Sequence, residues 1–263
     1  MFLCRLKPAE IISSRQKVIG FWGAPPAHAL EQAAERFPGA GFLDLDVFFG
    51  APVSGVLPDA YCHIIRNCID NALWLGDRLV AVVAACGEEK CDAGRYAAAL
   101  LAARGIEVIA TVNPNRQRTA QPLLCEAKGP LKKRAIRIME SIVEPLSDRE
   151  RNAAFMTRCT PTVGFWGTPP HPIEVLELFP DTTHIFGWTR CVEMGVPADL
   201  ELERQVPGDL PIVFFSQGFC AKAMIARELA KQYSGMYVDV HDQMHAATMA
   251  KIEAFIRLSG GRQ

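Results

Sequence analysis

The chain has 263 residues, of which 49% are hydrophobic and 22% charged, and its formal net charge at pH 7 is −1. This composition is that of a globular protein with a full core, which excludes an intrinsically disordered chain. The near-neutral charge excludes the strongly basic surface typical of nucleic-acid-binding proteins. No apolar run reaches the roughly 20 residues that span a bilayer, and no long apolar signal segment opens the chain. We therefore expect a cytoplasmic protein with no nucleic-acid or membrane partner; homodimerisation stays open.

The first half of the chain reads as alternating strands and helices separated by glycine and proline. An apolar run enters the stretch GFWGAPP at residues 20–26, and helix-forming residues follow as far as Phe37. A helix should end there, because the proline that follows Phe37 disfavours the helical backbone before it. A second apolar run ends at Asp44 and Asp46. A helix-like segment at residues 59–75 then precedes an apolar strand, a glycine turn, an alanine-rich helix and a further strand.

The middle of the chain, residues 129–161, predicts a helical connector. A basic helical stretch runs from Gly129 to Pro145. Ser147 and Glu150 then form the pattern of a capping box, in which each side chain bonds the backbone N–H of the other. This pattern predicts a second helix that begins after Ser147.

The second half repeats the first. The stretch GFWGTPP at residues 164–170 differs from its counterpart at one position, and the same order of apolar run, prolines, helix formers and apolar strand follows. The helix after the prolines should end at Phe179. The sequence therefore predicts an α/β protein that is an internal duplication of a Rossmann-like parallel-sheet lobe. We expect a first lobe over residues 1–128, the helical connector over 129–161 and a second lobe over 162–263, with the two lobes related by pseudo-symmetry.

The duplicated loops are candidates for a ligand site. Ligands of open parallel sheets bind outside the carboxyl ends of the strands, so a cleft between two such lobes would be rimmed by these loops. The stretch GFWGxPP lacks the glycines of a phosphate loop and offers a stiff aromatic wall instead. One interpretation places both tryptophans against a ligand, and the alternative places them in the core of their own lobe. The residues expected to bind a cofactor are Trp22, Trp166, Gly23, Gly167, Ser216 and Gly218.

Polar residues that occur in one half only are the candidates for chemistry, because a core role should recur in both halves. Asp44 and Asp46 end a strand, and such carboxylates suit a divalent cation. Near the end of the last strand, Asp239, His241 and Asp242 are the candidate catalytic residues, since imidazole and carboxylate groups serve as acids and bases. His245, one helical turn beyond His241, is a third candidate metal ligand beside Asp44 and Asp46.

The nine cysteines are expected to be mostly buried thiols, including Cys62 and Cys68. Cys86, at the start of a helix, could have a lowered pKa and act as a nucleophile. The loop between Cys86 and Cys91 should be well solvated, because it contains two glutamates and a lysine.

These observations favour a two-lobed enzyme, a transferase or lyase that acts on a small metabolite in the cleft, with a divalent metal as the one cofactor suggested. The chain lacks the motifs of P-loop nucleotide hydrolases, zinc peptidases, serine esterases and simple dinucleotide-binding proteins. An alternative is a non-catalytic carrier that clamps a planar ligand or metal cofactor between the GFWGxPP loops. A subunit that docks a partner through those loops is a third hypothesis.

Overall fold

The computed structural model describes residues 3, 5–7, 11, 15–118, 121–240 and 244–260. No helix in these ranges is long and apolar enough to cross a bilayer. The chain forms two compact units: lobe 1 comprises Met1–Asn115 and Ile142–Pro145, and lobe 2 comprises Arg116–Ser141 and Leu146–Gln263. Most of the segment predicted as a connector therefore packs with lobe 2.

Lobe 1 is built on a four-stranded parallel sheet in the order β2-β1-β3-β4. The strands are β1 (Val18–Trp22), β2 (Gly41–Asp44), β3 (Leu79–Ala85) and β4 (Val108–Thr111), and the helices are α1 (Ala27–Arg36), α2 (His63–Leu75) and α3 (Asp92–Ala102). A short 3-10 turn, Gly76–Arg78, joins α2 to β3.

Both faces of this sheet are covered, as the continuous apolar strands predict. Along β1, Ile19 and Phe21 point to the face covered by α1, whereas Val18 and Trp22 point to the face covered by α2 and α3. All four side chains are fully buried. The alternation follows from the two-residue period of a strand.

Lobe 2 repeats this topology with the strand order β6-β5-β7-β8. Its strands are β5 (Gly164–Trp166), β6 (His184–Phe186), β7 (Ile212–Gln217) and β8 (Met236–Val240). Its helices are α4 (Leu131–Glu140), α5 (Asp148–Met156), α6 (Trp188–Glu193), α7 (Leu200–Arg204), α8 (Ala223–Gln232) and α9 (Ala246–Gly260). Two all-parallel sheets with the same strand order and interleaved helices confirm the predicted fold class.

Equivalent side chains make equivalent contacts in the two lobes. Counted along the ladders from the matching glycines Gly20 and Gly164, Leu45 takes the position of Phe186. A Cβ atom added to Gly20 would lie 2.6 Å from Leu45 Cδ1, and one added to Gly164 would lie 2.9 Å from Phe186 Cε2. In each lobe a glycine of the central strand thus contacts an apolar side chain at the carboxyl end of the neighbouring strand. This agreement is consistent with an internal duplication.

One predicted helix differs between the lobes. In lobe 1 the residues after the two prolines form α1, but in lobe 2 they form only a 3-10 helix, Ile173–Leu178. Pro172 directly precedes this segment and Phe179, before Pro180, follows it. Prolines at both ends leave too few residues with free N–H groups for a longer α-helix.

The predicted capping box is present at the start of α5. The Ser147 side chain accepts a hydrogen bond from the Glu150 N–H, and the Glu150 carboxylate accepts one from the Ser147 N–H. Arg137 also donates to this carboxylate at 2.6 Å. Hydrogen bonds from Arg137 and from Ser147 lower the pKa of Glu150 to about 2.

Glu150→Gln should therefore destabilise the protein at neutral pH and much less in acid. The carboxylate has a lower pKa in the folded state than its ordinary 4.5, so its contribution is present above pH 4.5 and is lost as the pH falls towards 2. Because the Glu150 side chain is 40% exposed, solvent screens the charges, and we expect a loss of about 1 kcal/mol. Chemical denaturation at pH 7 and pH 3 measures it. Glu253→Gln, which breaks an exposed helical ion pair with Arg257, is the control and should change stability less.

Candidate functional site

Lobe 1 gathers charged side chains at the carboxyl edge of its sheet. The strand order reverses between β1 and β3, which is where open parallel sheets bind ligands. Lys90, from the loop after β3, crosses the end of β1 at this point: a Cβ atom added to Gly23 would lie 2.7 Å from Lys90 Cε. Gly23 also has a φ of +72°, which a residue with a side chain rarely adopts. Glycine at this position is what allows the lysine to reach across.

Asp44 and Asp46 lie at the end of the neighbouring strand β2. Asp44 is 6% exposed and accepts a hydrogen bond from the Asp46 N–H at 3.0 Å, while Asp46 is half-buried. Two asparagines of α2 hold this segment: Asn67 donates to the Asp46 carbonyl at 2.6 Å, and Asn71 donates to the Leu45 carbonyl at 2.8 Å. Helix α2 therefore fixes the backbone that carries both carboxyl groups.

Asp44, Asp46 and Lys90, the acid–lysine cluster, are electrostatically linked. Burial raises the pKa of Asp44, and burial together with the nearby Asp44 charge raises the pKa of Asp46 to about 7, against the opposing effect of Lys90. Burial alone would lower the pKa of Lys90, but the surrounding acidic groups, Asp46 foremost, raise it. The lysine is therefore a cation at neutral pH, and Asp46 exchanges a proton near neutrality.

Two thiols of lobe 1 lie close enough to interact with this cluster. Cys68 is fully buried and Cys62 is 9% exposed, as expected from the sequence. Burial, followed by the Asp46 charge, raises the pKa of Cys68 well above its ordinary value. The Cys68 thiol is therefore uncharged at neutral pH, and it lines the site without acting as a nucleophile.

A buried carboxylate braces the loop that carries Lys90. Glu89 is 3% exposed, and its Oε1 accepts a hydrogen bond from the Asn113 N–H at 3.2 Å. Asn113 in turn donates from Nδ2 to the Ala24 carbonyl at 2.9 Å, so the loops after β1, β3 and β4 are joined. The loop between Cys86 and Cys91 was expected to be well solvated; Glu88 and Cys91 are exposed, but Glu89 turns inwards. The sequence feature that indicates this burial is the position of Glu89 in a turn directly after a buried strand.

The equivalent positions of lobe 2 carry no acid. Counted along the ladders, Asp44 takes the position of Ile185 and Asp46 that of Gly187. Lobe 2 does have a lysine after its third strand, Lys222, but the two carboxylate oxygens of Glu203 hold it at 2.5 and 2.6 Å. The acid–lysine cluster is therefore particular to lobe 1, as the asymmetry of the sequence suggested for its two aspartates.

Both tryptophans of the repeated motif are buried. Trp22 and Trp166 are each 0% exposed, and their indole N–H groups donate to the Ala85 carbonyl at 3.2 Å and the Glu203 carbonyl at 2.8 Å. Each ring belongs to the core of its own lobe. This placement fits the alternative in which the motif fills the core.

The other residues expected to bind a cofactor lie at the strand ends of lobe 2. A Cβ atom added to Gly167 would lie 2.8 Å from the Phe215 carbonyl oxygen, so this loop packs tightly on β7. Ser216 is 4% exposed, and its hydroxyl lies 2.8 Å from the Tyr237 hydroxyl. Gly218 donates its N–H to the Val240 carbonyl at 2.8 Å.

The candidate catalytic and metal-binding residues at the end of the chain are only partly described. His241 and Asp242 lie outside the described residues. Asp239 is on β8, with Oδ2 3.7 Å from Arg227 Nη2, and His245 is exposed just before α9. Over the described part of the chain, no group of three or more histidine, cysteine or acidic side chains is arranged to hold a metal ion.

The prediction of a reactive Cys86 was wrong in the direction of its pKa. Cys86 is half-buried, and burial, with a further contribution from Glu89, raises its pKa despite the opposing charge of Arg95. A thiol of this kind is protonated at neutral pH and is a poor nucleophile.

Chemically, the acid–lysine cluster supplies a proton-exchanging carboxyl group beside a fixed cation at the edge where ligands of this fold class bind. No protein-family model matches the chain, and a search of curated proteins found no relative.

Proposed function

We propose that the protein is an enzyme, a transferase or lyase that acts on a small polar metabolite at the carboxyl edge of lobe 1. The observation that carries the proposal is the acid–lysine cluster. Two carboxyl groups from one strand end and a lysine from another converge there, whereas the equivalent positions of lobe 2 hold Ile185 and Gly187. Buried groups with shifted pKa values are typical of catalytic sites.

In this proposal Asp46 is the general acid or base. A pKa of about 7 gives both protonation states comparable populations near neutral pH, which is the optimum for proton transfer. Asp44 contributes to that value, since its charge disfavours ionisation of Asp46. Lys90 supplies a fixed positive charge that stabilises negative charge developing on the substrate.

A divalent cation would fit the same carboxyl groups. Carboxylate oxygens are the ligands that Mg²⁺ and Mn²⁺ prefer. Burial raises the pKa values of Asp44 and Asp46 despite the opposing charge of Lys90, so a further cation would stabilise their ionised forms. Such an ion would polarise a substrate oxygen. The buried faces of Trp22 and Trp166 give less support to the carrier alternative, which needs rings that a ligand can reach.

The test is turnover of a panel of small phosphorylated and carboxylated metabolites, followed by mass spectrometry with and without Mg²⁺ or Mn²⁺. The wild type should convert at least one compound class, and Asp46→Asn should lower turnover by about 100-fold or more, as expected for loss of a general acid or base. The dependence of turnover on pH near pH 7 should also disappear in the Asp46→Asn variant.

Asp92→Asn is the matched control, because Asp92 is a carboxylate of lobe 1 that is 78% exposed and pairs with its helical neighbour Arg95. This variant should retain wild-type turnover. A wild-type protein that leaves the whole panel unchanged, or an Asp46→Asn variant with undiminished turnover, would contradict the proposal.

A further inference from the structure

Lobe 2 has polar side chains of its own where lobe 1 is apolar. Counted along the ladders from the equivalent tryptophans, Tyr237 takes the position of Ala110, and Asp239 takes that of Val112. These positions lie on β8, on the opposite side of the central strands from β6. A role in the core would be expected to recur in both lobes, so this difference points to a task specific to lobe 2.

Four side chains from β7, β8 and α8 form what we call the β8 cluster: Ser216, Tyr237, Arg227 and Asp239. The hydroxyl oxygens of Ser216 and Tyr237 are 2.8 Å apart. The guanidinium carbon of Arg227 lies 4.9 Å from the centre of the Tyr237 ring, and Arg227 Nη2 lies 3.7 Å from Asp239 Oδ2. The tyrosine therefore orients the guanidinium group beside the carboxylate.

The charges of this cluster are close together but incompletely satisfied. A separation of 3.7 Å between Arg227 and Asp239 is too long for a hydrogen bond. Asp239 Oδ1 is buried and has no hydrogen-bond partner among the described residues. The Arg227 side chain is 63% exposed, so its outer N–H groups face solvent. The Asp239 carboxylate can thus accept further hydrogen bonds, and the Arg227 guanidinium group can donate further ones.

Large apolar side chains are exposed on α8 and on the loop that leads into it. Met224 lies one helical turn before Arg227 on α8 and is 73% exposed, so the two side chains share a face. Phe219, in the loop that leads from β7 to α8, is 59% exposed and has a φ of +55°. Few residues other than glycine adopt this backbone conformation, and such residues concentrate at binding and catalytic sites.

We propose that the β8 cluster binds a free α-amino acid with an aromatic or large apolar side chain. The ligand carboxylate would accept hydrogen bonds from the exposed edge of Arg227, and its ammonium group would donate to Asp239. Phe219 and Met224 would contact the ligand side chain. This site is separate from the acid–lysine cluster of lobe 1 and does not depend on the function proposed there.

Charge complementarity selects this ligand class over simpler ions. A lone anion attracted to Arg227 would be repelled by the adjacent carboxylate of Asp239, and a lone cation would be repelled by Arg227. A zwitterion satisfies both groups at once, and charge-assisted hydrogen bonds are the stronger kind. The exposed aromatic and methionine side chains provide apolar contact, which favours a zwitterion with a large apolar side chain over a small hydrophilic one.

Isothermal titration calorimetry of the full chain tests the proposal with four probes: L-phenylalanine, 3-phenylpropionate, phenethylamine and glycine. L-Phenylalanine should bind, and the other three, which lack the ammonium group, the carboxylate or the side chain, should bind about tenfold more weakly or worse. Arg227→Gln and Asp239→Asn should each weaken L-phenylalanine binding by about tenfold or more. Arg257→Gln, an exposed arginine of α9 in the same lobe, should bind like the wild type.

Phe219→Gly separates loss of binding from loss of folding. Because glycine tolerates the φ of +55° without strain, this variant should melt at or above the wild-type temperature and still bind L-phenylalanine more weakly. Absence of binding by the wild type at millimolar L-phenylalanine would overturn the proposal. Equal binding of 3-phenylpropionate, or undiminished binding by both Arg227→Gln and Asp239→Asn, would overturn it as well.

Discussion

Lys90→Met should destabilise lobe 1 strongly at pH 8 and only weakly at pH 5. Methionine has a similar length and keeps the apolar contact over Gly23, but Asp44 and Asp46 lose the cation that offsets their charge. Removing a cation beside carboxyl groups that are largely withdrawn from solvent costs a few kcal/mol, so we expect a loss on the order of 3 kcal/mol at pH 8. At pH 5 most of the loss should vanish, because Asp46, with a pKa of about 7, holds its proton.

The sign of this pH dependence follows from proton binding. With a folded-state pKa of about 7 and an ordinary value of 3.8, Asp46 binds more protons in the folded than in the unfolded chain between these pH values. Stability should therefore fall as the pH rises from about 4 to about 7, even in the wild type. Without Lys90 the pKa values of both aspartates should rise further, which steepens the fall.

Urea denaturation followed by circular dichroism measures the effect at both pH values. Lys17→Met is the matched control, because Lys17 is an exposed lysine of the same lobe whose ammonium group donates to the Asp77 carbonyl. Its effect should be small and equal at the two pH values. The double variant Lys90→Met with Asp46→Asn should regain part of the stability at pH 8. A Lys90→Met variant with the same loss at both pH values would show that the lysine does not offset buried carboxylates.

The duplicated fold was predictable because its signals are local. Apolar strands, the prolines after β1 and β5 and the capping box at Ser147 each act over a few residues, and each recurs in the structure. One predicted α-helix is only a 3-10 helix in the structure, at Ile173–Leu178. The cause of this difference is also local, because prolines flank the segment. Contact between the predicted connector and lobe 2 was not predictable, because it depends on packing between distant segments.

The acid–lysine cluster was predictable only in part. Asp44 and Asp46 stood out because the second half of the sequence has no counterpart for them. Lys90 did not, because it comes from a distant loop and reaches the carboxyl groups across Gly23, a path that exists only in the folded lobe. Glu89 was missed for the same reason, since its burial depends on Asn113 at the end of another strand.

The two lobes differ in residues that are candidates for function and agree in residues that support folding. What the lobes share, such as Trp22 and Trp166, is buried in both and supports folding. At two places where the lobes differ, the side chain is polar in one lobe and apolar in the other. Lobe 1 has its charged group at β2, where lobe 2 has Ile185, and lobe 2 has Tyr237 at β8, where lobe 1 has Ala110. The two lobes therefore differ at opposite edges of their equivalent sheets.

Gly187→Ala should be strongly destabilising, and this explains why lobe 2 cannot carry a counterpart of Asp46. Gly187 has a φ of +73°. A Cβ atom there would lie 2.8 Å from the Gly167 backbone nitrogen and 3.0 Å from the Trp166 ring. Backbone strain of about 1 kcal/mol and an overlap of about 1–3 kcal/mol should combine to a loss of several kcal/mol in the free energy of unfolding.

Two glycines separate these contributions in the same denaturation experiment. Gly76→Ala should cost only the strain, because Gly76 has a φ of +52° but no atom within 4 Å of an added Cβ. Gly208→Ala should be close to neutral, since its nearest neighbour would be 3.8 Å away and its φ is not positive. Equal stability of Gly187→Ala and Gly208→Ala would contradict the argument. The predicted order implies that any side chain at position 187 must displace Trp166 or the loop at Gly167, so the acidic site of lobe 1 cannot be recreated in lobe 2 by one substitution.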